Sequence, residues 1–197
     1  MEPYEIIVSP FDVYLAPVGE AFPAIEDTPG GNWGLLGANK GEYGEDGVTV
    51  THEQSLFEHR GQATGPVKVA RTEEGLKIAF MLHNLTLEKY GKVLNNAVPT
   101  DTPAGGGDAG FRDIDLHQGH SVSTWALLVR GPSGYGAGWN SQYQVPVVYQ
   151  SASPAPVFSK GGAAGLEVEF TALEDPDAAT EAEKFGQLVM QDADPAA

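Results

Sequence analysis

Cysteine is absent from the chain, which removes disulfide staples, thiol nucleophiles and Cys-based zinc sites together. Basic charge is scarce: 11 Lys and Arg stand against 27 Asp and Glu, a formal net charge of -16. No basic stretch occurs, which argues against specific nucleic-acid binding, since that needs Lys and Arg to displace phosphate counterions. A sustained apolar run is missing too. The opening residues MEPYEIIVSPFDVYL lack a basic leader region, and no later segment has the length of a membrane-crossing helix. Neither a signal peptide nor a membrane insertion is expected, and the chain reads as a soluble product of the cytoplasm.

Catalytic signatures are missing as well. There is no Gly-x-Ser-x-Gly elbow and no phosphate-binding loop ending in Lys-Ser or Lys-Thr. The glycines of GAGWNSQ (136–142) lack the strand-to-helix context of a dinucleotide loop. With so many acids, carboxylate pairs are unavoidable, and none is singled out as a glycosidase pair. The expectation is no enzyme and no cofactor.

What is present is a folding chain of 197 residues with 41% hydrophobic side chains, long enough for one buried domain. Its 25 Gly and 14 Pro favour turns over a helical bundle. The apolar spacing is mostly two. Leu76, Ile78, Phe80 and Leu82 alternate with Lys77, Ala79, Met81 and His83, and Leu166, Val168, Phe170 and Ala172 alternate with Glu167, Glu169 and Thr171. Each predicts a strand with one buried face. Val48 and Val50, and Val67 and Val69, repeat the pattern, with short runs at Val13–Ala16 and Gln187–Met190. VSTWALLVR (122–130) and QVPVVYQ (144–150) are partly apolar on both faces, as central or interface strands are.

One segment predicts a helix. In NLTLEKYGKVLNN (84–96), Thr86 is an N-cap, Leu87, Tyr90 and Leu94 share a face, and Asn95–Asn96 make a stop. Gly91 is expected to weaken it by about 1 kcal/mol relative to Ala. Three loops stand out: PTDTPAGGGDAG (99–110), the Gly-rich RGPSGYGAGWNSQ (130–142) and the acidic EDPDAATEAEK (174–184). No composition break divides the chain, so 1–197 reads as one domain with an N-terminal arm, a projecting hairpin and a C-terminal strand.

Two clusters carry ligand-type side chains. His52 and His59 lie in DGVTVTHEQSLFEHRGQATGPVKVART (46–72). The helical zinc signature would need His at position 56, where Leu56 stands. On an unbroken strand an even and an odd position face opposite ways, so solvated strand positions are the preferred reading. FRDIDLHQGH (111–120) places Asp113, Asp115 and His117 on one strand face, with His120 nearby. That is metal-compatible spacing, but an exposed edge strand looks the same, and no metal is assigned. Tyr135, Trp139 and Tyr143 in the Gly-rich loop suit either a sugar platform or a protein contact; the contact is favoured.

The order of several weak signatures resembles the major tail tube proteins of long, non-contractile-tailed bacteriophages and related gene transfer agents. They are VYLAPVGEAFP (13–23), GNWGLLG (31–37), EDGVTVTHEQ (45–54), GPVKVARTEEGLKIAF (65–80), LTLEKYGKVLN (85–95), GLEVEFTALEDP (165–176) and EKFGQLV (183–189). The resemblance implies a mainly β fold, a sandwich or barrel-like pair of sheets, with one flanking helix at about 86–95 and a long projecting hairpin at about 46–72. It implies self-assembly into stacked rings, six copies each, forming the hollow tail tube of a virion through which DNA is ejected. Tape-measure, tail-terminator and distal tail proteins become the expected further partners. The contact between subunits and between rings falls at Leu56, Phe57, Glu58, His59, Arg60, Gly61, Gln62 and Ala63, with the hairpin tip near 58–63 and Arg60, Gly61 and Gln62 as its turn. The physics agrees with that placement, because Leu56 and Phe57 beside a turn are costly in water and natural anchors on another subunit. An acidic bore would repel phosphate, and Glu42, Glu45, Asp46, Glu53, Glu167 and Glu169 are the candidate lumen acids. The competing readings are a β-sandwich binding module of a virion, recognising carbohydrate or host through the three aromatics, and a metal-dependent hydrolase using the 113–120 cluster.

Overall fold

The computed structural model describes residues 2–7, 11–37, 41–62, 64–158 and 160–194. Its strands are β1 (Asp12–Ala16), β2 (Gly34–Gly37), β3 (Tyr43–His59), β4 (Lys68–Leu82), β5 (Thr100–Thr102), β6 (Phe111–Asp113), β7 (Thr124–Pro132), β8 (Asn140–Gln150), β9 (Leu166–Ala172) and β10 (Gln187–Met190), with one α-helix, α1 (Leu87–Val93). The mainly β fold with a single helix is as the alternation predicts. One antiparallel sheet runs in the order β2-β1-β7-β8-β9-β4-β3, with β10 also on β8, and β5 and β6 form a separate hairpin.

The period-two expectation holds along β9 and the inner half of β4 but fails at Val67 and Val69, which are both exposed, Val67 lying just before β4. Leu76, Ile78, Phe80 and Leu82 are buried along β4, and Leu166, Val168, Phe170 and Ala172 along β9. β8 divides its far side between two partners, β10 on Ser141–Gln144 and β9 on Val148–Gln150. The sheet parts there and curls over itself. Val13 and Leu15 of β1 and Leu127 and Val129 of β7 thereby join Ile78, Phe80, Val168 and Phe170 in one core. The other side of β7 buries Ala126 and Leu128 with Trp33 and Ala16, and Phe22 packs against them. That second cluster is the reason 122–130 is apolar on both faces. Trp33 is fixed there by its Nε1, which donates to the Ala21 carbonyl at 2.9 Å.

The two ends of the strand order approach one another. The Tyr43 hydroxyl, from the start of β3, donates to the Gly37 carbonyl at the end of β2. Its ring stands edge-on to Phe80, centroids 5.5 Å apart. A side chain on Gly37 would meet the Tyr43 ring at 2.6 Å, so glycine permits the approach. Burial first, and then the charge of Asp12, push the Tyr43 phenol far above its ordinary range.

The helix is shorter than the 86–95 expectation, ending at Val93. Thr86 is the N-cap residue, but its side chain makes no capping bond. Asn95 and Asn96 stop the helix with φ of 55° and 62°, a left-handed conformation that Asn tolerates better than most residues. The Asn95 amide also donates to the Gln118 and Ser121 carbonyls, and its Oδ1 accepts from the Ser123 amide at 2.6 Å. Arg112 on β6 bonds both Asp101 of β5 and Glu88 of α1. The expected loop 99–110 thus contains half of a small hairpin clamped to the helix.

Candidate functional site, a projecting hairpin arm

β3 and β4 begin as core strands and end as something else. Their pairing runs from Tyr43↔Leu82 to His59↔Lys68, yet every described residue from Thr51 to Glu74 is exposed. Thr51–His59 alone spans roughly 30 Å at the usual rise per strand residue. The arm therefore projects with neither face packed. A two-stranded ribbon of this kind is marginal in water unless something covers it.

The arm is ordered by its own bonds. Ser55 pairs with Glu73 and Leu56 with Arg71, leaving Thr72 as the extra residue of a bulge. Thr72 Oγ1 donates to the Ser55 carbonyl at 3.2 Å and Ser55 Oγ to Glu73 at 3.0 Å. The Val67 amide closes the tip by donating to the His59 carbonyl at 2.7 Å. Gly61 turns the chain at φ 56°.

The turn expected at Arg60, Gly61 and Gln62 is present, but the tip is narrower than 58–63. Glu58 and His59 still belong to β3, opposite Val69 and Lys68, so the turn begins only at Arg60. Arg60, Gly61 and Gln62 lie in it, and Ala63 lies outside the described residues. Leu56 and Phe57 are exposed as the hairpin reading requires, 51% and 57%, but as strand neighbours they face opposite ways. Leu56, Glu58, Val69 and Arg71 share one side; Phe57, His59, Lys68 and Ala70 share the other. Each side thus carries a large exposed apolar side chain. Val67 and Val69 are exposed as well, so a partner that satisfies this arm must enclose it.

His52 and His59 point to opposite sides, since the bulge adds its residue to β4 and leaves the parity of β3 intact. In the 111–120 segment β6 stops at Asp113, so Asp113, Asp115 and His117 share no strand face. Among the described residues no group of three metal-ligating side chains converges.

The six acids divide into three groups. Glu53, Glu167 and Glu169 lie on the outward side of β3, β9 and β9, in register with Gly75, Met81 and Ala79 of β4. Glu53 holds Lys77 at 3.0 Å, and Glu169 accepts from Ser151 Oγ at 2.8 Å. Glu45 and Asp46 are exposed in the irregular start of β3, between Tyr43 and Val48. Glu42 differs: it is half-buried and bonded to Lys89 at 2.7 Å and Asn84 at 3.2 Å, fastening β3 to the helix region.

The three aromatics of the Gly-rich segment do not act together. Tyr135 is exposed, Trp139 Nε1 donates to Asp194 at 2.9 Å, and Tyr143 packs against the main core. The two ends of 130–142 are strand, 130–132 in β7 and 140–142 in β8, and only 133–139 is loop.

Two features escaped the sequence reading. Between Leu56 and Thr72 stand Arg60, Lys68 and Arg71 against Glu58 alone, so the outer arm is the basic spot of an acidic protein. The signal was the clustering of three of the chain's 11 basic residues in one hairpin. The second is the exposure of Met81, Val157 and Phe158 at the opposite end of β4. No protein-family model matches the chain, and no curated protein does.

Proposed function

We propose that the chain is a structural subunit that assembles with copies of itself into stacked, six-membered rings, building the hollow tail tube of a virion for DNA ejection. The observation that carries this reading is the arm: a ribbon from Thr51 to Glu74, exposed throughout and apolar on both sides. A chain that functioned alone would not keep Leu56, Phe57, Val67 and Val69 in water. Each contributes on the order of 1.5–3 kcal/mol when fully buried, and an assembly repeats that gain at every contact. The outer edge of β3, seventeen residues long, supports the same reading, because among the described residues no strand pairs with it and bare edges of that length call for a partner. The resemblance of ordered segments to tail tube proteins supplies the ring and the tube; tape-measure, terminator and distal tail proteins are its further partners. Glu53 and Glu169 are the acids suited to lining the bore, where DNA slides past without sequence recognition.

Electron microscopy of the purified protein tests the proposal. Rings or tubes with a central channel are expected for the whole chain. Replacing 56–72 by an Asn-Gly turn between Ser55 and Glu73 should leave a folded monomer that forms neither. A whole chain that stays monomeric across ionic strengths, or an armless one that still polymerises, refutes the reading.

A further inference from the structure

The arm's receiving surface can be placed on the same chain. β4 carries the arm tip at one end, Lys68, and at the other Met81 and Leu82. Some 45 Å of strand separates them at the usual rise, so the arm cannot fold back onto that far end within its own subunit.

The far end is built around Met81, half-exposed on the outward face. Gly44 of β3 lies beside it, with 3.2 Å left for a Cβ, and Gly165 lies closer, with 2.6 Å to the sulfur. Glu167 is its register partner on β9. Glu45 and Asp46 follow Gly44, and Val157 bridges to Gly165 with Phe158 next in the chain. Phe158 is 78% exposed. This end is thus apolar and acidic together, and Glu45, Asp46 and Glu167 make no ion pair among the described residues. The outer arm is apolar and basic. From 56 to 72 it holds Arg60, Lys68 and Arg71 against Glu58, +3 − 1 = +2, which leaves −18 for the rest of a chain at −16. Among the described residues, Arg60 and Arg71 form ion pairs only with exposed carboxylates of their own hairpin, Glu58 and Glu74, pairs that hold little free energy and exchange readily. Lys68 makes no ion pair among the described residues.

We infer that the arm of one copy docks, head to tail, on the Met81 end of a second copy, Phe57 packing near Phe158 and the arm's three cations meeting Glu45, Asp46 and Glu167. The inference rests on the self-assembly proposed above and names the surface it uses. Such a contact joins two different patches of one subunit, so each copy keeps one arm and one receiving end free, and the chain of contacts continues until it closes or extends.

The absence of cysteine makes the test direct. Phe57→Cys and Phe158→Cys variants, mixed and oxidised, should give a 57–158 cross-link identified by mass spectrometry. Phe57→Cys mixed with Asp177→Cys, whose position lies in the acidic 174–184 loop, should give none. Separately, Arg60→Glu, Lys68→Glu and Arg71→Glu together should cut the assembled fraction at least ten-fold, and adding Glu45→Lys, Asp46→Lys and Glu167→Lys to the same chain should restore it. Tubes without a 57–158 cross-link, a cross-link to position 177 instead, or assembly indifferent to the charge swap would overturn the docking while leaving the tube reading in place. A whole chain that never assembles overturns both.

Discussion

Phe170 is fully buried between β4 and β8, whereas Phe57 stands more than half exposed on the arm. Truncating the first leaves a cavity in the curl of the sheet, so Phe170→Ala should cost about 3–5 kcal/mol of stability in urea unfolding. Phe57→Ala should change monomer stability by less than about 0.5 kcal/mol and yet reduce sedimentable assembly several-fold. An equal loss of stability in both would mean that the arm packs on its own subunit. Tyr43 offers a residue-scale test in pH. Its phenol is held above its ordinary value by burial and by Asp12, so the folded state keeps a proton that the unfolded state releases near pH 10. Stability from this group is intact below pH 10 and falls as pH rises beyond it, by up to about 1.4 kcal/mol per unit. Tyr43→Phe should lose about 1 kcal/mol at pH 7 with the bond to Gly37, and should flatten the alkaline slope relative to the wild type in parallel unfolding titrations.

At the scale of elements, Gly91 reverses a rule of propensity. Read as sequence, Gly91 weakens α1, and Gly91→Ala would strengthen it by about 1 kcal/mol. In the fold a Cβ there would lie 2.1 Å from the Ala97 carbonyl oxygen and 2.9 Å from Ile114 Cδ1, contacts no real side chain makes. Gly91→Ala should therefore destabilise, by about 1–3 kcal/mol as an overpacked site does, measured by chemical unfolding; a stabilised variant would contradict the packing of α1 against 97–114. The strands of the core were legible in the sequence because alternation maps directly onto burial in β4 and β9. β2 was not, since its four residues Gly-Leu-Leu-Gly are too few to show a period. β5 was hidden for another reason: its three residues are exposed in what reads as a loop. The 111–120 segment reads as an exposed edge strand, but only Phe111–Asp113 is one, and Arg112 ties it to Asp101 and Glu88, contacts that no local pattern announces. The hairpin arm was legible as two strands and a turn. Its two-sidedness was implicit in the parity of Leu56 and Phe57, but the exposure of both faces is a property of where the rest of the chain is absent.

Over the whole molecule, a charge of -16 and a basic arm tip act at different ranges, and salt separates them. Subunits brought together in the proposed ring would repel through charges distributed over tens of ångströms. At 0.01 M ionic strength the screening length is about 30 Å, so this repulsion is felt in full; at 0.15 M it is about 8 Å, and most of it is gone. The contacts of Arg60, Lys68 and Arg71 with carboxylates act over a few ångströms and survive that change, and the burial of Phe57, Leu56 and Val69 is not screened at all. Assembly should accordingly rise between about 10 and 150 mM NaCl, and rise further with a millimolar divalent cation, which neutralises stacked acidic surfaces more effectively than sodium. Toward 1 M, where screening reaches about 3 Å, the charged part of the docking weakens and the gain should level off or reverse. Light scattering across this series gives the curve. The variant carrying Arg60→Glu, Lys68→Glu and Arg71→Glu should show no such downturn, because it has no attractive pairs left to screen. A wild-type curve that is flat from 10 to 150 mM would show that long-range repulsion does not govern assembly, and that the acidic surface has another purpose.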